Sequence, residues 1–290
     1  MNNIHIAVIS DTHGGSKVGL CNPEVELHDE QPDGTLIPLM LSLNARQQDL
    51  WAQDEFTRER MLEQAGRNGI KGLIHLGEQT QGNRIAADLM SEVVSDQIDI
   101  ACENLKPWLR MPGMKWVRII PGTSWHEFGD SAAAKLIASK LQDEFKKINI
   151  QTYRHGLIRI EGHKPIEIMH HGPGNSKRHW LEGNLARYYL RDRMDREIKA
   201  GREVPALYLS GHVHTPVREQ LSIRAGTTWH DSAIVIMPPM CYMNDYAIKV
   251  SESSYEYITG EMIVRLADGL PPALMPTWQV TDVRTEDTWT

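Results

Sequence analysis

Apolar and polar positions along the chain fall into two alternating rhythms. Ile4–Ser10 alternates and is rich in β-formers, which predicts a first strand running into a loop at Asp11–Gly15. Ser42–Arg67 spaces Leu43, Leu50, Trp51, Met61 and Leu62 as one helix face, with Gly66 and Gly69 stopping it. Gly72–Leu76 and Trp116–Pro121 read as short apolar strands, separated by a long helical pattern at Arg84–Leu109. Ser131–Lys147 is helical again, with Asp130 or Ser131 as its N-cap. From Tyr153 the pattern shifts to strands. Leu157–Glu161 and Pro165–His170 predict a hairpin, Ala206–Ser210 and Ala233–Met237 two further strands, and Glu261–Leu266 a last one. An Arg-dense helix is expected over Ser176–Gly201, and Pro271, Pro272 and Pro276 mark a weakly structured tail.

Strand–helix alternation followed by a strand-rich half predicts an α/β fold, a four-layer α/β/β/α sandwich. One domain over residues 1–250 is expected, with a C-terminal extension over 251–290. The long stretch at 16–41 is either a lid or an insertion packed beside the sheet. Composition changes this picture little. With 290 residues, 41% hydrophobic and 24% charged, the chain can bury a core without cross-links. A net charge of −7 argues against a broad non-specific grip on nucleic acid, though not against a local basic groove. Three separated cysteines and no apolar run of membrane-spanning length point to a cytoplasmic protein.

The thirteen histidines are the informative count, and many of them fall at predicted strand ends. Asp11-Thr12-His13, Gly77-Glu78, Gly122-Thr123-Ser124-Trp125-His126-Glu127, His170-His171-Gly172 and Gly211-His212-Val213-His214 each place a His or carboxylate in a Gly-containing loop after a strand. In layered α/β folds such loops converge on one edge. Imidazole with carboxylate is a ligand set for Zn, Mn or Fe rather than for Ca or Mg.

In this order the five segments resemble the signature of the calcineurin-like metallophosphoesterase superfamily: D-x-H, G-D, G-N-H-[DE], H-G and G-H-x-H. The resemblance spans Ile4 to Thr215. It extends toward a phage and prophage-type branch through Val18–Leu27, the G-T-x-x-H form of the third segment and the doubled His before Gly172. The resemblance implies a four-layer metallophosphoesterase domain and a metal-dependent phosphoric ester hydrolase. Its cofactors would be two divalent transition metal ions, Mn, Fe, Ni or Zn. Asp11, His13 and His214 would hold the first ion and His171 and His212 the second, with Glu78 bridging them. His170 would support a neighbouring ligand. Hydroxide held at the ion pair would attack phosphorus directly, with no covalent enzyme intermediate. The implied substrate is a phosphate ester, with a nucleotide or nucleic-acid phosphodiester favoured; a homo-oligomer is compatible with everything above. If phage-encoded, the protein would act in the host cytoplasm.

The sequence departs from that pattern at the bridging position, where Glu78 replaces Asp. Gln81 stands where a second acid is usual, and Thr123 replaces the Asn of G-N-H. Two roles are open to His126: ligand of the second ion, or acid that protonates the leaving oxygen. Thr123, Asn175, Lys177 and Arg178 are the candidate substrate contacts, and Trp125 either stacks a base or packs. His5, His75, His155, His163 and His230 fit no motif and read as structural. Two other functions remain beside the phosphodiesterase: a DNA nuclease, and a folded relative that has lost turnover and serves as a binding or assembly module.

Overall fold

A computed structural model describes residues 3–39, 41–66, 69–174, 176, 178–244, 256–282 and 284. In chain order its elements are β1 (Ile4–Ile9), β2 (Leu27–Glu30), β3 (Leu36–Leu39), α1 (Ala45–Ala65), β4 (Ile70–His75), α2 (Val94–Leu109), β5 (Trp116–Ile119), α3 (Ala132–Glu144) and β6 (Asn149–Thr152), then β7 (His155–Ile158), β8 (Ile166–Met169), α4 (Asn184–Lys199), β9 (Leu207–Ser210), β10 (Val217–Ala225), β11 (Thr228–Ile236), β12 (Glu256–Leu266) and β13 (Ala273–Asp282).

Alternation along β1 divides its side chains between two cores. Ala7 and Ile9 face α1, α2 and α3, whereas Ile6 and Val8 face a second sheet. The first sheet runs β13-β12-β1-β4-β5-β6 and the second β10-β11-β9-β8-β7. Between them lies an apolar layer in which Ile74, Leu76 and Val264 meet Ile168, Leu209 and Val235. On the far side of the second sheet, Tyr208, Ile234 and Ile236 pack against Ala186, Leu190 and Met194 of α4. These layers are the expected α/β/β/α sandwich. Each fully buried Leu, Ile or Val contributes roughly 1.5–3 kcal/mol.

Strands β1, β4, β5 and β6 are mutually parallel, as are β8, β9 and β11. Parallel strands deliver their C-terminal loops to the same edge, which is what gathers the five segments.

Several boundaries differ from the pattern reading. The helix expected from Arg84 starts at Val94, after a 3-10 turn at Ala86–Asp88. The helix expected from Ser176 starts at Asn184, because Gly183 before it takes a left-handed φ of 80°. The expected proline-rich tail is instead β13, and the strand before it is longer than predicted and pairs antiparallel with β1. Residues 256–282 are therefore part of the first sheet rather than an appendage. In the 16–41 stretch, Leu20, Cys21, Val25 and Leu27 are buried. Asn104 of α2 holds it, accepting from Asn22 N–H and donating to Leu20 O, both at 2.8 Å. Its β2 and β3 pair antiparallel as a hairpin, with Ile37 and Leu39 exposed. No described helix is long and apolar enough to cross a membrane.

Candidate metal centre

Past the ends of β1 and β4, the first two loops stay zipped together. Asp11 N–H bonds Gly77 O (3.0 Å), His13 N–H bonds Glu78 O (2.9 Å) and Gly14 N–H bonds Gln79 O (2.9 Å). Asp11, His13, Glu78, His212 and His214 all take positive φ, from 47° to 73°. Left-handed backbone at a non-glycine residue costs on the order of 1–3 kcal/mol. Only two other described non-glycine residues, Phe128 and Ser131, share it. Strain concentrated on five candidate ligands marks a site where side-chain direction has been favoured over backbone comfort.

Glu78 lies at the centre and is 2% exposed. Its Oε1 accepts from Thr123 N–H and meets His170 Nε2, both at 3.0 Å. Its Oε2 lies 3.0 Å from His126 Nε2 and 3.8 Å from His13 Nε2. Beside it, His13 Nε2 and His214 Nε2 are 3.4 Å apart, and His214 Nε2 is 3.3 Å from Asp11 Oδ1. Asp11 Oδ2 takes the Ser10 hydroxyl and, at 3.2 Å, the His212 N–H.

Among the described residues, three groups each bring their ligand atoms within 4.8 Å of one another: His13, His214 and Cys241; His170, His171 and His212; and His13, Glu78 and His126. Asp11 Oδ1 and Glu78 Oε2 are buried without a hydrogen-bond partner. His126 bonds Gln81 O through Nδ1, so with the proton on Nδ1 its Nε2 lone pair faces the orphaned Glu78 oxygen. Two acceptors held 3.0 Å apart repel unless a cation lies between them. The donor set therefore fits metal ions.

Without metal, protons take over part of that neutralisation. Burial alone would lower the His13 pKa, but Cys241 and Glu78 carry it up to about 9. His214 is likewise raised well above its ordinary value against burial, by Cys241 and Asp11. His170 is raised, against burial, by Glu78 and Asp11. Asp11 is held well below the carboxylate range by His214, His170 and His13, although burial opposes it. Glu78 is lowered to about 2 by His170, His13 and His126, again against burial. His126 is pushed down to about 4, first by burial and then by His13, and stays neutral. His171 and His212 are lowered by burial and by neighbouring imidazoles.

The structure brings Asp11, His13, Glu78, His126, His170, His171, His212 and His214 together. Glu78 lies between the two clusters, so its extra methylene spans them; Gly122 leaves room, since a Cβ there would lie 2.6 Å from Glu78 N. His170 bonds Leu76 O through Nδ1 at 2.7 Å, which aims its Nε2 at Glu78. Thr123 reaches the centre through its backbone N–H. Arg178 is exposed and lies over the Trp180 ring; Asn175 and Lys177 fall outside the described residues. Farther along α4, Arg187, Arg193 and Arg196 pair with Glu219, Glu167 and Asp192, as on a solvated, anchored helix face. His75, read as structural, is fully buried under the centre, bonded to Thr12 and Gln79 and lowered to about 3 by burial.

Two contributors escaped the sequence reading. Glu127 accepts the N–H groups of Gly122 (2.8 Å) and Ala134 (2.9 Å), tying the third loop to α3. Cys241 follows the parallel strand β11, as the His-bearing loops follow theirs. Its place after the predicted strand Ala233–Met237 is a signal of location, though a lone cysteine there carries no ligand signature.

No family model and no curated protein matches the chain. Among solved structures, the chain is similar to Chaetomium thermophilum Vps29, at 9% identity and a TM-score of 0.32, covering 98% of each chain. It is also similar to a metallophosphoesterase from Sphaerobacter thermophilus, at 13% identity and a TM-score of 0.33, covering 98% of this chain and 90% of that one.

Proposed function

We propose that the protein is a dinuclear metal-dependent phosphoesterase of the calcineurin-like type, acting on a nucleotide or nucleic-acid phosphodiester. The observation that carries this reading is the position of Glu78. One of its oxygens faces His170 and the other faces His126 and His13, so a single carboxylate spans both ligand clusters. Asp11, His13 and His214 would hold one ion, and His171 and His212 the other. Two divalent ions supply charge neutralisation for a phosphoryl group and lower the pKa of water toward neutrality.

The chain's own residues do the rest. His170 and the Thr123 N–H orient Glu78. Gln81 O fixes the His126 ring, leaving Nε2 directed inward. Exposed Trp125 lies under Arg84, 5.0 Å from its guanidinium carbon, and exposed Trp180 lies 6.0 Å from that of Arg178. Each pair combines a stacking ring with a phosphate-seeking cation, which supports a nucleotide-bearing diester over a phosphoprotein.

The test combines metal counting with turnover. Wild-type protein loaded with Mn or Ni is expected to bind two ions per chain and hydrolyse an aryl phosphodiester, a cyclic nucleotide or DNA. His126→Gln separates its two roles: one ion lost makes it a ligand, whereas two ions kept with turnover lost makes it the acid. Full metal occupancy with no hydrolysis of any of these esters would leave the binding-module reading, toward which Glu78, Gln81 and Thr123 point.

A further inference from the structure

We propose that Cys241 is a thiolate ligand of the first ion, so that the pair of metal sites is chemically asymmetric; this rests on the metal-centre reading above. The Cys241 sulfur and one nitrogen each of His13 and His214 lie within 4.8 Å of one another. Asp11 is fully buried, and its Oδ1, without a hydrogen-bond partner, points into the same group 3.3 Å from His214 Nε2. Together they offer two nitrogens, a sulfur and an oxygen, to which Glu78 would add a further oxygen, a donor combination that zinc accepts.

The placement of the sulfur is built into the fold. After β11 the chain passes Pro238 and Pro239, and Met240 N–H then bonds Ser10 O (3.0 Å) and Asp11 O (3.2 Å). Cys241 forms a bridge with Gly19, and the Tyr257 hydroxyl donates to the Cys241 carbonyl. The Met240 bonds and the bridge to Gly19 hold the residue against the segment after β1, and Tyr257 holds it from β12. Among the described residues, the other pole has no thiol: beside the shared Glu78 it offers the imidazoles of His171 and His212, since Leu76 O and Glu78 take both ring nitrogens of His170. Thiolate is a soft ligand and favours Zn, Fe or Co over Mg, Ca or Mn. Binding displaces the S–H proton to solvent as the metal–sulfur bond forms.

The experiment is titration of the metal-free full-length protein with Co(II), read as an absorption spectrum. Wild type is expected to show visible d–d bands together with a near-ultraviolet sulfur-to-cobalt charge-transfer band. Cys241→Ser should lose the near-ultraviolet band and weaken cobalt binding at that site at least by the roughly 10–100-fold that even a supporting partner costs. A Cys21→Ser/Cys102→Ser double variant, whose only thiol is Cys241, should keep the band; this decides the matter even where Cys241→Ser fails to fold. Visible bands with no charge-transfer band in the double variant overturn the thiolate ligand and leave the metal centre standing. Failure of wild type to bind cobalt overturns both.

Discussion

Gly211 offers a direct test of whether packing holds Asp11 in its ligand position. A Cβ at Gly211 would lie 2.2 Å from Ser10 Oγ and 2.6 Å from Asp11 Oδ2, whereas ordinary contact begins near 3.4 Å. Its φ lies outside the left-handed range, so Gly211→Ala adds volume without demanding a forbidden backbone. Relief requires the Asp11 carboxylate to retreat by about 0.8 Å, the gap between 2.6 and 3.4 Å. Such a move also stretches the His212 N–H bond to Asp11 Oδ2, already 3.2 Å, beyond useful length. Overpacking of this kind costs about 1–3 kcal/mol. Misplacing a catalytic group by ~1 Å costs on the order of 100-fold in rate. The assay compares melting temperature, bound metal and diester turnover for wild type, Gly211→Ala and Gly174→Ala. The last is the control, because among the described residues a Cβ at Gly174 meets nothing nearer than Leu185 Cδ1 at 3.9 Å. Gly211→Ala should lose metal and turnover out of proportion to its loss of stability. Unchanged metal stoichiometry and turnover in that variant would refute the claim that Asp11 is a ligand positioned by this contact.

Glu78→Asp shortens the carboxylate proposed as the bridge by one methylene and should reduce bound metal below two ions per chain, measured by elemental analysis after gel filtration. Asn104→Ala removes its bonds to Asn22 and Leu20, leaving Asn22 Nδ2 on Glu103 O (3.1 Å), and should destabilise the chain by roughly 1–3 kcal/mol in urea unfolding, with the first loop more open to proteolysis. Chelation should lower the melting temperature, because an ion bound only to the native state adds about 2.7 kcal/mol at 100 times its Kd. A fourth expectation concerns Glu261, fully buried, with its pKa pushed well above the ordinary value by burial and then by Asp54. The folded chain keeps that proton while the unfolded chain releases it. The stabilisation is therefore complete below the ordinary carboxyl range and declines as pH rises toward the folded pKa, by up to ~1.4 kcal/mol per pH unit. Glu261→Gln should remove this slope, so its advantage over wild type widens between pH 5 and 8 in denaturant titrations; a constant difference would count against the buried proton.

The strands β1, β4, β5, β7, β8, β9, β11 and β12 and the five loop segments could be read from the sequence because both depend on local features, whereas β2, β3, β6, β10 and β13 were not expected. Alternation identified β1 and β4, and short His- or carboxylate-bearing loops with Gly follow such strands whatever the rest of the chain does. The four layers followed from the same patterning. What the sequence could not show was anything set by which strands become neighbours. Pro276 looked like a chain breaker, yet β13 is an edge strand, where a residue without an N–H is tolerated on the open side. β10, also at an edge, was likewise missed: only one face of it is covered, and its pattern is weak. Cys241 had no local signal tying it to His13, 228 positions earlier in the numbering; only the parallel pairing of β11 with β9 puts its loop at the shared rim. Glu78 was expected as a bridge from the resemblance, but what holds it across both clusters was not legible. That reach depends on Gly122 giving way behind it and on His170 and His126 arriving from opposite sides, which are properties of packed neighbours rather than of a run of residues.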